Sequence, residues 1–290
     1  MKISEKFKGK TVLSFEIFPP KPQADENILC STLNELSDLN PDFISVTYGA
    51  GGGTNGSRTI KIASDIKNKY GIESAVHLPC INKSEQEIIS ILDDLKEKGI
   101  ENIVALRGDI PEGITPHGRF RHASELIEFI RKNYDFNIIA ACYPEGHSES
   151  KSIIDDMNYL KHKVDCGTSH LITQLFLDND YFYKFHERAD IAGINVPIEA
   201  GIMPVTSKAQ IERMVKLCGI NLPEKFIKIM ERYENNPEAL RDAGIAYAVD
   251  QIVDLISHDV DGIHLYTMNN PFTAKRIYEA VYSLLSVHHH

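Results

Sequence analysis

Glu16, Thr47, His77, Arg107 and Gln174 each stand near the end of a separate apolar run. Between them they offer a carboxyl group for proton transfer, a hydroxyl, an imidazole, an anion-binding guanidinium and an amide that both donates and accepts. In VLSFEIF, Leu13, Phe15 and Ile17 alternate with Ser14 and Glu16. A strand that buries its apolar face against helices therefore turns Glu16 the other way. The same parity sets Ser45 and Thr47 against Ile44 and Val46, and Ala75 and His77 against Val76 and Leu78. It recurs with Ala105 and Arg107 against Val104 and Leu106, and with Ile172 and Gln174 against Leu171, Thr173 and Leu175. Polar groups from distant segments are thus expected to meet at one end of one sheet. Glu16 lies between Phe15 and Ile17, just before the stiff Pro19-Pro20 pair. Partial burial there is expected to raise its pKa, as a general acid near neutral pH needs; a buried ion pair with Arg107 is the plainer reading.

The elements that must position these groups alternate along the whole chain. Strand-like runs are read at 11–17, 42–48, 73–78, 102–107, 137–143, 170–176, 195–200 and 261–267. Amphipathic helical segments separate them, the rhythm of a parallel sheet covered by helices. In 84–97, Ile88, Ile91, Leu92 and Leu95 form one stripe behind a capping box made by Ser84 and Glu87. Segment 149–165 reads the same way, and 218–238 reads as an extra helix between two proline-marked breaks. Eight strand–helix units close into an α/β (β/α)8 TIM barrel, and residues 1–287 are expected to form that single catalytic domain. The longest loops, GAGGGTNGS, GDIPEGITPHGRF and PEGHSES, follow strands two, four and five, on the face where such barrels keep their active sites.

Composition narrows the function. A chain of 290 residues that is 42% hydrophobic can bury one large core. The net charge of −10 argues against a nucleic-acid partner, since phosphate binding needs a basic face. No apolar stretch approaches the ~20 residues of a membrane span, and MKISEKFKGK lacks the apolar region of a signal peptide, so a cytoplasmic protein without membrane contact is expected. Cys30, Cys80, Cys142, Cys166 and Cys218 are widely spaced and form no CxxC pair. They are read as reduced and mostly buried, with no metal or iron–sulfur site. His288, His289 and His290 read as the remnant of a purification tag.

Several motifs have plain alternatives when taken singly. GAGGGTNGS lacks the Lys-Ser/Thr of a P-loop and does not fit GxGxxG, so a surface loop is the better reading. Arg107-Gly108-Asp109 puts a guanidinium and a carboxylate around a glycine that lets a ligand approach the backbone, although a surface turn is the default. His147 is unremarkable alone, and a solvated helix face is an equal reading of Asp156 and Lys163.

Taken together, SFEIFPPK, FISVTYGA, VHLPCI, NIVALRGDIP, AACYPEGH, LKHKVDCGTSHLITQLF, GIMPVTS and GIHLYTMN closely resemble the methylenetetrahydrofolate reductase family, in its order and close to its spacing. The resemblance implies the barrel, FAD as cofactor, NADH or NADPH as electron donor and methylenetetrahydrofolate as substrate. It implies Glu16 as general acid, Asp109 as the carboxylate beside flavin and pterin, and Gln174 and Thr47 as substrate contacts. Flavin contacts implied are Thr47, Tyr48, Ala50, His77, Arg107, Gly108, Asp109, Ala123, Tyr143, His147, Asp156 and Lys163. Asn270 stands where an arginine often holds the folate, and His122, Tyr159, His162 and Met214 also depart from the better-known bacterial pattern. A homo-oligomer is expected. The implied reaction is a ping-pong hydride transfer that yields 5-methyltetrahydrofolate. The alternatives are a flavin-binding barrel that takes electrons from a partner subunit, and a folate one-carbon transferase without redox chemistry.

Overall fold

The computed structural model describes residues 1–20, 26–48, 55–110 and 115–287. A short 3-10 turn, Ile3–Phe7, precedes eight parallel strands: β1 (Val12–Ile17), β2 (Phe43–Val46), β3 (Glu73–Pro79), β4 (Asn102–Leu106), β5 (Asn137–Cys142), β6 (His170–Thr173), β7 (Ile198–Ile202) and β8 (Gly262–Tyr266). Each strand pairs with the next, and β1 pairs with β8, so the sheet closes as the alternation predicted. The helices between them are α1 (Glu26–Ser37), α2 (Asn55–Tyr70), α3 (Glu85–Glu97), α4 (Ala123–Asn133), α5 (Ile153–Asp165), α6 (Asn179–Ile191), α7 (Lys208–Cys218), α8 (Glu224–Tyr233) and α9 (Pro237–Ser257); α10 (Pro271–Leu285) follows β8. The expected extra helix is α8.

Local sequence explains where these helices begin. Ser84 accepts from the Glu87 amide while Glu87 reaches back to the Ser84 amide, the capping box expected before α3. Asn270 accepts from the Thr273 amide and Pro271 opens α10, so this residue pair is a helix start. The seventh strand runs Ile198–Ile202 rather than 195–200, because Pro197 has no amide hydrogen for the ladder and strand pairing starts beyond it.

Two apolar layers hold the barrel. The outer one packs Leu13, Phe15 and Ile17, with their equivalents on the other strands, against the helices. The inner one contains Val12, Phe43, Ala75, Val104, Ile139 and Ile172, plugged by Ile3 from the N-terminal turn. Asn102 fastens that plug, accepting from the Ile3 amide at 2.9 Å. At Gly244, on α9, an added Cβ would lie 1.8 Å from the Val205 carbonyl oxygen. Gly244→Ala is therefore expected to destabilise the fold by about 1–3 kcal/mol through overpacking, read as a lower urea midpoint with an unchanged slope.

Of the five cysteines, only Cys80 and Cys142 are buried, although all five are free thiols. Among the described residues no helix is long and apolar enough to cross a membrane, and no His, Cys, Asp and Glu side chains gather to hold a metal ion.

Candidate active site

Glu16 projects into the barrel near the C-terminal end of β1, with its side chain 20% exposed. Its Oε2 lies 3.4 Å from His77 Nε2 and 3.8 Å from His264 Nε2. His77 comes from β3, as the alternation predicts, and its Nε2 is also 3.4 Å from Ser45 Oγ on β2. Gln174, just past β6, joins them around a recess of about 70 Å³, together with Tyr143 and Tyr266. Tyr266 donates to the Thr173 carbonyl at 2.7 Å, crossing over β7 at Gly201. A Cβ on Gly201 would lie 2.8 Å from the Tyr266 ring, so that glycine makes the crossing possible. Gly201→Ala would press first on the Thr173 carbonyl and then on the Tyr266 ring, so it is expected to displace β6 and Tyr266 together and weaken any ligand over Glu16, which calorimetric titration would report.

The electrostatics of Glu16 correct the sequence reading. Burial does push its pKa up, but the contact with His264 and the charges on His77 and His264 outweigh burial, and the net shift is downward. The expectation of a raised pKa overlooked these imidazoles. Burial lowers the pKa of His77, with Glu16 opposing and His264 reinforcing that shift.

Beside this recess opens a cavity of about 550 Å³ between β4, β5, α4 and α5. Six of the implied flavin contacts line it, Arg107, Ala123, Tyr143, His147, Asp156 and Lys163, together with His122, Tyr159 and His162, three of the departures from the bacterial pattern. Tyr143 faces both spaces, and burial pushes its hydroxyl up to about 12. His147 packs edge-on against Tyr143 at 4.6 Å. Asp156 and Lys163 are not on a solvated face; Asp156 is 9% exposed and accepts from Ser150 at 2.8 Å. Lys163 donates to the Ala141 carbonyl at 2.7 Å, and burial lowers its pKa.

Arg107 is the main positional correction. On β4 the inward residues are Val104 and Leu106, which face Glu16 and His77, whereas Ala105 and Arg107 point outward into the larger cavity. Register shows the same, since His77 pairs with Val104. The plainer reading of Arg107, a buried pair with Glu16, also fails. Its guanidinium forms a two-pronged pair with Glu149, one bond at 2.8 Å, and that pair holds its pKa above the usual value.

The remaining expected positions lie apart from these two spaces. The Thr47 amide donates to Ile17, and its carbonyl accepts from Thr59. Tyr48 is buried on the outer side, with Lys83 4.8 Å from its ring centre. Gly108 has φ +89°, and a Cβ there would meet Pro79 at 2.8 Å. Asp109 is exposed next to Arg107, whose charge it supports. Ala50 and the nominated tag residues lie outside the described residues, as do parts of the GAGGGTNGS and GDIPEGITPHGRF loops.

His264 and Tyr266 were missed, although GIHLY carries the same alternation that exposed Glu16. Glu149, whose partner is Arg107, had no sequence signal beyond its place in the loop after β5. As a fit for the implied FAD, the larger cavity combines two cations with one wall formed by the first turn of α4, the positive end of a helix. Lys163 spends one of its three hydrogens on Ala141, which leaves two for an anion. The donor set suits a pyrophosphate, and the volume lies within the range of small-molecule sites.

A family model described as methylenetetrahydrofolate reductase matches residues 2–282. The chain is 38% identical over 262 residues to the 5,10-methylenetetrahydrofolate reductase of Pectobacterium carotovorum subsp. carotovorum, covering 90% of this chain and 87% of that one. It is 36% identical over 289 residues to methylenetetrahydrofolate reductase (NADH) 1 of Arabidopsis thaliana, covering 93% of this chain and 49% of the plant protein. Among solved structures, an uncharacterized protein from Clostridium thermocellum that binds two copies of 5-methyl-5,6,7,8-tetrahydrofolic acid superposes with a TM-score of 0.65 at 14% identity. It covers 97% of this chain and 98% of its own, a likeness of fold alone.

Proposed function

The chain belongs to the methylenetetrahydrofolate reductase family, and from that premise we propose that it reduces 5,10-methylenetetrahydrofolate to 5-methyltetrahydrofolate with FAD, in two half-reactions fed by NADH or NADPH. The observation that carries this reading is the adjacency of two spaces joined by Tyr143: a carboxyl-centred recess and a cavity lined by Arg107 and Lys163. When bound, the flavin supplies the hydride chemistry that side chains cannot.

Arg107, Lys163 and the first turn of α4 would hold the pyrophosphate, in a cavity that shares Tyr143 with the recess. Glu16 gives a proton to the folate N10 and opens the five-membered ring. Gln174, which lines the recess, orients the pterin through its amide, which can donate and accept at once, whereas Asp109, expected to stabilise the cationic folate, stands outside both spaces. Tyr266 walls the recess and limits water around the proton donor. The free cysteines suit a reducing compartment, in keeping with a cytoplasmic enzyme.

An anaerobic visible spectrum tests the reading. Bleaching by NADH followed by recovery on adding methylenetetrahydrofolate is the expected result. A protein that cannot be reconstituted with FAD would end it, and a yellow protein that neither nicotinamide bleaches would assign the electrons to a partner. Glu149→Gln should tighten FAD up to about fivefold, because it releases Arg107 from a half-exposed pair of small net worth; flavin fluorescence quenching measures this.

A further inference from the structure

Beneath Glu16 the barrel holds a second carboxyl that the mechanism leaves unused. Glu199 of β7 is completely buried. It reaches across β8 at Gly262, where an added Cβ would meet the Glu199 Cγ at 2.7 Å. On the far side its Oε2 meets Ser14 Oγ of β1 at 2.6 Å. Ser14 Oγ is also 2.6 Å from His264 Nδ1, whereas His264 Nε2 stands 3.8 Å from Glu16 Oε2 and makes no hydrogen bond in this state. Register sets Ser14 beside His264, so the line Glu199, Ser14, His264 is built into the sheet and ends one short step from Glu16.

Ser14 has one hydrogen, so the line can be polarised in only two ways. When Glu199 is ionised, Ser14 donates to it and accepts from His264 Nδ1. When Glu199 carries a proton, it donates to Ser14, Ser14 donates to His264 Nδ1, and the imidazole hydrogen sits on Nε2 toward Glu16. We propose that Glu199 is the proton store for Glu16, joined to it through Ser14 and His264, an inference that rests on the reading of Glu16 as proton donor. In the transfer the Glu199 O–H bond breaks as the hydroxyl of Ser14 takes that proton. Ser14 gives its own hydrogen to His264 Nδ1, and Nε2 gives its hydrogen to Glu16 as the two close from 3.8 Å to hydrogen-bond distance. One unit of charge moves from Glu16 to Glu199, no electrons move, and water at the mouth reloads the line through Glu16 between turnovers.

The store needs its resting proton at the Glu199 end, and burial differs in that sense: Glu16 is partly exposed, whereas Glu199 is shut away from solvent, where a charge is costly. Its Oε1 lies 3.2 Å from His170 Nε2, but neither that oxygen nor either ring nitrogen of His170 makes an aligned hydrogen bond. An unaligned oxygen suits the carbonyl of a neutral carboxyl better than an ionised one. His170 is itself packed between Phe7 and Phe43, with ring centres 4.9 Å and 6.1 Å away. The other groups facing the line are His77 on β3, Ser45 on β2, Tyr143 after β5 and Tyr266 on β8. The depressed pKa of Glu16 agrees with an ionised resting end. The line thus reconciles an ionised Glu16 with its role as an acid.

Glu199 acts through Glu16, so it is a positioning residue, and infrared spectra of the isolated protein test it without turnover. Wild type should show the carbonyl stretch of a buried neutral carboxyl at neutral pH, sensitive to deuterium. Glu199→Gln should lose that band, and Ser14→Ala should keep it at higher frequency, because its hydrogen bond is gone. If wild type and Glu199→Gln share the same carbonyl bands, the proposal is overturned; should Glu199→Gln fail to fold, an unmoved band in Ser14→Ala overturns it instead. In kinetics, Glu199→Gln should slow folate reduction about tenfold in alkaline buffer, change it little in mildly acid buffer, and spare reduction by the nicotinamide. An unchanged pH profile counts against the store. A wild type that does not reduce methylenetetrahydrofolate refutes the assigned reaction, while the infrared result still decides where the proton rests.

Discussion

Glu16→Gln is expected to abolish folate reduction almost completely while leaving flavin binding and flavin reduction by the nicotinamide intact. The amide keeps the shape of the carboxyl but has no acidic proton to give, and removal of a general acid costs about 10²–10⁴ in rate. Glu16 lines the small recess and is absent from the larger cavity, so Arg107 and Lys163 remain in place. Stopped-flow absorbance separates the two half-reactions. Equal slowing of both would show that Glu16 only braces His77 and His264. In wild type the folate half-reaction should decline as pH rises, because the proton that Glu16 must carry becomes scarcer. The Gln variant should show no such decline. It should also remove the attraction between Glu16 and His77, 3.4 Å apart, and so lower the His77 pKa further.

The barrel was legible because alternation and turn chemistry repeat in every unit. Leu13, Phe15 and Ile17 must face helices, and that requirement alone turned Glu16 inward, as found. The same reasoning failed on β4 for a definite reason. Both faces there are apolar, so the single polar residue was assigned inward by analogy. In the structure Leu106 ends the strand and Arg107 leaves it toward the helices. Parity carries little information where a strand is covered on both sides.

The site was less legible than the fold, because its electrostatics depend on strands far apart in sequence. Glu16 could be placed on its strand, but His264 meets it only through closure of β8 on β1, and this contact helps reverse the direction of its pKa shift. Glu199 was hidden by the misplaced seventh strand, and Gly262, which makes room for it, reads in sequence as an ordinary strand start. The six expected flavin contacts that line the larger cavity entered through motif resemblance. Helical periodicity would have left Asp156 and Lys163 in solvent.

Lys163→Met should weaken FAD binding by about 10- to 100-fold, the worth of one charge-assisted hydrogen bond of roughly 1.5–3 kcal/mol. Methionine fills much of the same space, so the loss reports charge more than packing. In the ligand-free protein the ammonium is buried and its pKa depressed, with a backbone carbonyl rather than a carboxylate as its hydrogen-bond acceptor. The ligand-free variant should accordingly melt no lower than wild type, whereas the gain in melting temperature on adding FAD should shrink. The pH dependence has a fixed sign: the pyrophosphate favours the charged ammonium, so binding draws in a proton wherever free Lys163 is neutral. FAD affinity should therefore fall at high pH in wild type as Lys163 loses its proton, and Lys163→Met should remove that limb of the profile. Titration of the flavin-free protein, followed by fluorescence, measures both. Equal affinities across the pH range would mean that Lys163 serves the Ala141 carbonyl alone, and that Arg107 and α4 carry the anion without it.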